Sequence, residues 1–309
     1  MKLYKSNSGL LERVKVNPFH LEKDIQVLVE KNVRTLFGLE FVKSELTFGS
    51  FRFDTLCFDN ELNSFVIIEY KKGSSYSVID QGYTYLSLLL NNKSDFILEY
   101  NETLDRNIKR DEVDWSQSKV VFISPHFSDY QRNSVNFKNL PFELWEITRY
   151  NDDSIGLSKI STESNVDINT TIGENSSDGI MGKVTKELVR YDENYHLSKS
   201  KNRPDGVKEL YFKLKNRILE LGEGIEIRFG KQTIGFVQNR VFTDLILYNK
   251  GIGVVLNLKK GQLKDDLSLT EDLSDKGHWG NGDYRIWLNT NDDIEYTISL
   301  IRQSLQNQL

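Results

Sequence analysis

The stretch FRFDTLCF (51–58), the polar loop 59–64 and FVIIEYK (65–71) hold the residues best suited to chemistry: Asp54, Glu69 and Lys71. The loop invites a hairpin, and pairing Phe58 with Phe65 across it sets Asp54 directly opposite Glu69 in an antiparallel ladder. Directly opposed side chains point to one face, roughly 5 Å apart at Cβ. Lys71 stands two residues beyond Glu69 and shares that face. Two facing acids repel unless a cation lies between them. Mg²⁺ meets that need, with Mn²⁺ as the alternative ion, because it takes hard oxygen ligands, usually one or two carboxylates plus waters and phosphate oxygens. The backbone carbonyl of Tyr70 is placed to be a further ligand. Lys71 would lower the pKa of a nucleophilic water or offset charge growing on a scissile phosphate. The competing reading is an ordinary solvated strand face, where Glu and Lys often alternate.

Neighbouring residues decide between the two. Glu22 lies three residues before Ile25 and seven before Val29, which puts it on the buried stripe of a helix, either as a structural acid with a local partner or as an acid approaching the metal. The site role is favoured by the hairpin beside it. Lys23, Gln26, Glu30 and Arg34 fall on the other side, and Glu30 is expected to be solvated. Gln81 and Tyr85, one helical turn apart after the hairpin, can both reach one side of the sheet and orient Lys71 or a nucleic-acid phosphate. Glu45 is read as a surface salt bridge ahead of an accessory acid. Lys43, Arg52, Lys72, Lys109, Arg110 and Lys119 are candidate phosphate contacts, though charges spread in this way usually serve solvation.

The elements that must position these residues follow from periodicity. Residues 18–37 read as an amphipathic helix, 41–48, 51–58 and 65–71 as strands, 77–90 as a helix, and 120–124 as a buried strand ending at Pro125. A helix over 128–137 precedes a strand at 142–150. The resulting α-β-β-β-α-β order predicts an α/β domain, a mixed sheet flanked by helices, over 1–160. From 161 to 204 the sequence turns polar and reads as a linker with room for one short helix in MGKVTKELVRY. Beyond it, a helix at 207–221, four strand-like runs, the turn-rich GHWGNGD and a last helix at 292–305 predict a separate small α+β domain over 205–309.

A chain of 309 residues can bury two modest cores. No run approaches the roughly 18 to 20 apolar residues of a membrane span, and the N-terminus lacks a basic-then-apolar pattern, so a soluble cytoplasmic protein is expected. The single cysteine, Cys57, excludes a disulfide framework and reads as a small buried hydrophobe. His20, His126 and His196 lack ligand-like spacing. His278, Trp279 and Asp283 around Gly280 and Gly282 could build a site, but a tight turn with Trp279 packed beneath it is the favoured reading. A net charge of -5 excludes a global basic field, so any nucleic-acid binding must use a local patch.

On these residues, FDT, IIEYK and QGYTY, the chain resembles the PD-(D/E)XK superfamily of restriction-endonuclease-like nucleases, including the branch with a Gln-x-x-x-Tyr element seen in phage-exonuclease-like enzymes. The segment from Glu22 through EKDIQVLVEKNVRTLFGLEFVKSE to VIDQGYTYLSLL is also similar to a family of uncharacterised bacterial proteins in which such a domain precedes a C-terminal domain of unknown function. GHWGNGDYRIWL carries that similarity into the second half, which further resembles small double-wing nucleic-acid-binding domains and would be a targeting module. The resemblance implies a restriction-endonuclease-like sheet, Mg²⁺-dependent phosphodiester hydrolysis, and Asp54, Glu69 and Lys71 as core residues. Phe53 stands where the family signature has proline, a position that ligates nothing. The expected function is a metal-dependent nuclease acting on DNA ahead of RNA, with ligands Glu22, Asp54, Glu69 and the Tyr70 carbonyl, and Gln81 and Tyr85 supporting Lys71. The alternative is a non-cleaving nucleic-acid-binding or protein-interaction adaptor on the same fold. Oligomeric state stays open, a homodimer included.

Overall fold

Alternation and helical periodicity fold much as they read. The computed structural model describes residues 2–73, 77–136, 140–161, 179–188, 191–200, 203–238, 240–289 and 293–307. The chain divides into two compact units, Met1–Val189 and Arg190–Leu309.

The first unit opens with a hairpin of β1 (Tyr4–Asn7) and β2 (Leu10–Arg13) that the sequence reading did not include. Helix α1 (Glu22–Phe37) precedes strands β3 (Glu40–Phe48), β4 (Phe51–Asp59) and β5 (Ser64–Tyr70). Helices α2 (Val78–Asn91) and α3 (Lys93–Leu104) lead to a 3-10 turn at Trp115–Gln117 and to β6 (Lys119–Ser124). Then come α4 (Asp129–Ser134), β7 (Phe142–Arg149) and β8 (Ile155–Lys159). Helix α4 is shorter than the helix expected at 128–137, of which 137 lies outside the described residues.

Strands β3 to β8 form one six-stranded sheet in sequence order. The pairs β5–β6 and β6–β7 run parallel and the others antiparallel, so the sheet is mixed. Every residue of β5 is buried, as befits a strand covered on both faces. On one face Ile25, Val29 and Val33 of α1 pack against Cys57, Val66 and Ile68. On the other, Leu86, Leu89 and Phe96 from α2 and α3 pack against Phe53, Phe58 and Phe65. The mixed α/β sheet flanked by helices is therefore present.

Part of the expected 161–204 linker, residues 162–178, lies outside the described residues. The rest holds two helices, α5 (Ile180–Glu187) and α6 (Glu193–Ser198). Val184 and Leu188 are buried in the first unit's core, so the middle of that polar stretch is packed structure. Its apolar positions are too few to stand out among polar neighbours.

The second unit carries α7 (Asp205–Leu219), β9 (Glu226–Phe229), β10 (Ile234–Val237), β11 (Val241–Leu247), β12 (Ile252–Leu256), β13 (Thr270–Asp272), β14 (Tyr284–Leu288) and α8 (Ile294–Gln306). Its antiparallel sheet has the order β13-β14-β12-β11-β10-β9. Leu210, Leu214, Ile298 and Ile301 of α7 and α8 pack against Leu245, Val254 and Ile286 of the sheet. Strand β13, three polar-flanked residues, had no readable alternation. Among the described residues no helix is long and apolar enough to cross a membrane.

Candidate functional site

The hairpin register is the one its loop length suggests. Phe58 pairs with Phe65, and the ladder continues to Thr55 opposite Ile68. The next step along that register brings Asp54 to Glu69. There the Asp54 side chain enters the ladder, its Oδ2 accepting from the Tyr70 N–H at 3.0 Å. Strand β5 then ends and Lys71 N–H donates to the Ile123 carbonyl of β6 at 2.9 Å.

Glu69 is buried, 4 % exposed. Its Oε1 accepts from Lys71 Nζ at 2.9 Å and from Gln81 Nε2 at 2.7 Å. Its Oε2 is buried with no hydrogen-bond partner among the described residues. Helix α2, capped by Ser77 Oγ accepting from the Asp80 N–H at 3.3 Å, supplies Gln81 and Tyr85 from one face. Gln81 Nε2 also donates to Tyr85 Oη at 2.7 Å, and Tyr85 Oη donates to the Arg52 carbonyl at 3.1 Å. The relay from β4 through α2 to Glu69 fixes one carboxylate oxygen and leaves the other unmatched.

Electrostatics express the same arrangement. Burial, then the Asp54 charge, pushes the Glu69 carboxyl above its ordinary range, against the pull of Lys71 and Gln81. Asp54 is also raised, by burial first, with the Glu22 charge adding to the effect and the Tyr70 N–H and Lys71 opposing it. Two desolvated acids with an orphaned oxygen need positive charge. The donor set fits Mg²⁺, which one or two carboxylates suffice to hold.

Glu22 corrects the sequence reading. It is exposed, and its Oε1 accepts from the Lys72 N–H at 2.7 Å. It is the first residue of α1, and the buried stripe of the helix begins only at Ile25. Among the described residues no three His, Cys, Asp or Glu gather closely enough to hold one ion, so Glu22, Asp54 and Glu69 do not form a preassembled triad.

Gln26 and Glu30 correct the reading in the opposite direction. Gln26 is buried, and its Nε2 lies 2.9 Å from Glu30 Oε1 and 3.0 Å from the Asp54 carbonyl. Thr55 Oγ1 donates to Glu30 Oε1 at 2.7 Å and lies 3.0 Å from Tyr70 Oη. This network ties α1 to the hairpin behind the two acids. Thr55→Val should therefore lower the unfolding free energy by about 1–3 kcal/mol, because Glu30 and Tyr70 lose a buried partner. Urea unfolding measures the loss, and Thr55→Ser should recover most of it; a valine variant as stable as the parent would remove the network's importance.

The other candidates are mostly spent. Glu45 pairs with Lys23 and lies 3.7 Å from Arg52 Nη1, a surface ion pair as expected. Lys43 is 2.9 Å from Glu99 and Lys119 2.9 Å from Glu143. Lys72 Nζ donates to the His20 carbonyl. Lys109 and Arg110 are exposed, remote in sequence from the hairpin. Cys57 is buried and its thiol is pushed up by burial, which removes it as a nucleophile.

In the second unit the GHWGNGD turn lies hard against the sheet, with Gly280 (φ 96°) over Val255. Trp279 is 58 % exposed, where packing beneath the turn was expected. His278 Nδ1 lies 3.2 Å from the Trp279 carbonyl. Asp244 of β11 is buried, accepts from the Asn281 N–H at 3.3 Å, and burial holds it up at about 6. Sequence reasoning missed it, although an acid inside the apolar run VFTDLIL was the available signal.

Residues 196–308 match the family model described as Domain of unknown function (DUF5655). An "Uncharacterized protein" of Haemophilus influenzae is 42% identical over 308 residues, covering 99% of this chain and 100% of the relative. Three solved structures overlap part of the chain. A repair endonuclease from Pyrococcus abyssi is 15% identical with a TM-score of 0.28, over 41% of this chain and 48% of that one. EndoMS in apo form is 14% identical with a TM-score of 0.28, over 43% and 48%. An EndoMS–dsDNA2 complex is 15% identical with a TM-score of 0.24, over 44% and 50%. The chain spans about half the length of these solved structures, and overlap this partial carries no weight for the site.

Proposed function

This chain belongs to the family of the Haemophilus influenzae protein, and we propose that it hydrolyses phosphodiester bonds of nucleic acid, DNA ahead of RNA, with Mg²⁺ or Mn²⁺ held by Asp54 and Glu69. The observation that carries the reading is the buried Glu69 Oε2, without a hydrogen-bond partner among the described residues, one step beyond the Thr55–Ile68 pair on the strand that faces the desolvated Asp54. The Tyr70 carbonyl, between Glu69 and Lys71, is the third oxygen. Glu22, engaged on the Lys72 N–H, stands outside this ligand set. When bound, the ion supplies Lewis acidity and lowers the pKa of water. Gln81 and Lys71 hold Glu69 by one oxygen and keep the other presented. Lys71, fixed beside the acids, offsets charge that grows on the phosphate oxygens. Tyr85 locks Gln81 against the β4 backbone.

The test incubates the full chain with linear, nicked and single-stranded DNA and with RNA, plus Mg²⁺ or Mn²⁺. Metal-dependent products should appear, and Lys71→Ala should slow their formation roughly 10²–10³-fold. The second reading, a non-cleaving adaptor, is favoured by the lack of a third gathered acid among the described residues. No cleavage with any metal while DNA still shifts on a gel would decide for the adaptor.

A further inference from the structure

The second unit contains a cavity of about 760 Å³, within the ~300–1,000 Å³ range of ligand pockets, and its walls are of two kinds. One is aromatic. Tyr248 and Trp287 lie with ring centroids 4.8 Å apart, and Trp279 projects from the turn between β13 and β14. Trp287 is 45 % exposed although Arg285 covers it at 4.8 Å, and Trp279 is more exposed still. Tryptophans left open to solvent in one pocket forgo burial that they would otherwise gain, which marks a surface awaiting a flat partner.

The other wall is cationic. Lys199, Arg203 and Lys250 line the cavity, and among the described residues no carboxylate does. Arg203 is buried, with its Nη groups donating to the carbonyls of His196, Leu197 (3.2 Å) and Leu247 (3.0 Å). No carboxylate pairs with it among the described residues, and its Nε is buried without a hydrogen-bond partner. Lys199 is exposed, and its Nζ donates to neutral oxygens, the Lys231 carbonyl at 3.0 Å and Gln232 Oε1 at 2.6 Å, and lies 5.5 Å from the Tyr195 ring centroid. Of the three cations only Arg203 is buried, and among the described residues it lacks the carboxylate that buried cations ordinarily have. In a chain with net charge -5, three cations lining one cavity whose described walls carry no carboxylate form a local field that selects an anion.

We propose that this cavity binds a nucleobase bearing a phosphate, the base stacking on Trp279 against the Tyr248–Trp287 wall and the phosphate lying in the field of Lys199, Arg203 and Lys250. Both walls are needed: aromatic platforms accept any base, and the cations add the backbone charge. The ligand is either a free nucleotide or an unpaired nucleotide of a strand. The inference stands on the second unit alone and does not depend on the Asp54–Glu69 chemistry.

The full chain in EDTA, where metal-dependent cleavage is off, is titrated with 5′-AMP, adenosine and a short oligothymidylate while tryptophan emission is followed. Quenching by 5′-AMP assigns a free nucleotide, and quenching by the oligomer alone assigns a strand. Either way Trp279→Ala should weaken binding roughly 10-fold, and Lys250→Glu should weaken it and flatten its salt dependence. Circular dichroism checks that the variants are folded. Adenosine binding as tightly as 5′-AMP, unaltered titrations in the Trp279 variant, or no quenching by any of the three would overturn the proposal. Because no cleavage enters the readout, failure here and failure of the nuclease reading are separate results.

Discussion

Glu69→Gln should yield a protein that no longer cuts nucleic acid with Mg²⁺ yet melts higher than the parent in EDTA. The first half follows from losing the carboxylate whose Oε2 is proposed to meet the ion, and a loss of roughly 10²-fold or more is expected. The second half follows from linkage. Glu69 and Asp54 are both raised, from ordinary values of 4.5 and 3.8, so the folded chain holds protons that the unfolded chain releases. Stability from these groups is complete below their ordinary values and is lost as pH rises through the raised ones. At neutral pH the metal-free site is thus a strained pair of charges. Glutamine copies the protonated acid and removes its share of the strain, leaving Lys71 near Asp54, so a rise of about 2 °C or more is expected. Mg²⁺ should raise the melting temperature of the parent at pH 8 much more than at pH 4, and should leave the variant almost unchanged. A glutamine variant that melts lower in EDTA, or that still gains from Mg²⁺, contradicts the two-carboxylate site.

Gly282→Ala is expected to be the most disruptive small substitution in the second unit. A Cβ there would sit 1.5 Å from the Leu256 carbonyl oxygen and 2.7 Å from Asn257 Cα. Both are backbone atoms of β12 and its continuation, so no rotamer change relieves the overlap. The turn cannot simply lift away, because Asp283 N–H donates to the Leu258 carbonyl at 2.9 Å and the Asp283 carbonyl accepts from Leu273 N–H at 2.7 Å. Breaking this stitching should cost about 3 kcal/mol or more and displace Trp279. Calorimetry of the full chain with tryptophan emission measures both effects. Gly277→Ala, with nothing within 4 Å of its added carbon, is the control and should be near neutral. Equal melting of the two variants would mean the turn is not pressed on the strand.

The acids were legible because a short loop sets hairpin register, and register sets sidedness. Glu22 was misplaced because helical periodicity gives an angle around the axis and says nothing of whether the first turn of the helix is covered. Gln26 and Glu30 were assigned to solvent because their partners, the Asp54 carbonyl and Thr55 Oγ1, lie on a strand that the helix pattern alone cannot see. The run FVIIEYK reads as a strand, but its parallel pairing with β6 depends on the crossover through α2 and α3. Arg203 was invisible for a different reason: it sits at the end of a polar stretch, where a buried guanidinium looks like one more solvated charge.

The hairpin ladder ends at Thr55 and Ile68, and beyond it a side chain, Asp54, occupies a position that backbone would otherwise fill. Closing the hairpin and assembling the acid pair are consequently one event. A slip of a single residue would send Asp54 and Glu69 to opposite sides of the sheet and leave Tyr70 N–H without its acceptor. Misfolded copies of the chain would then lack the assembled acid pair altogether.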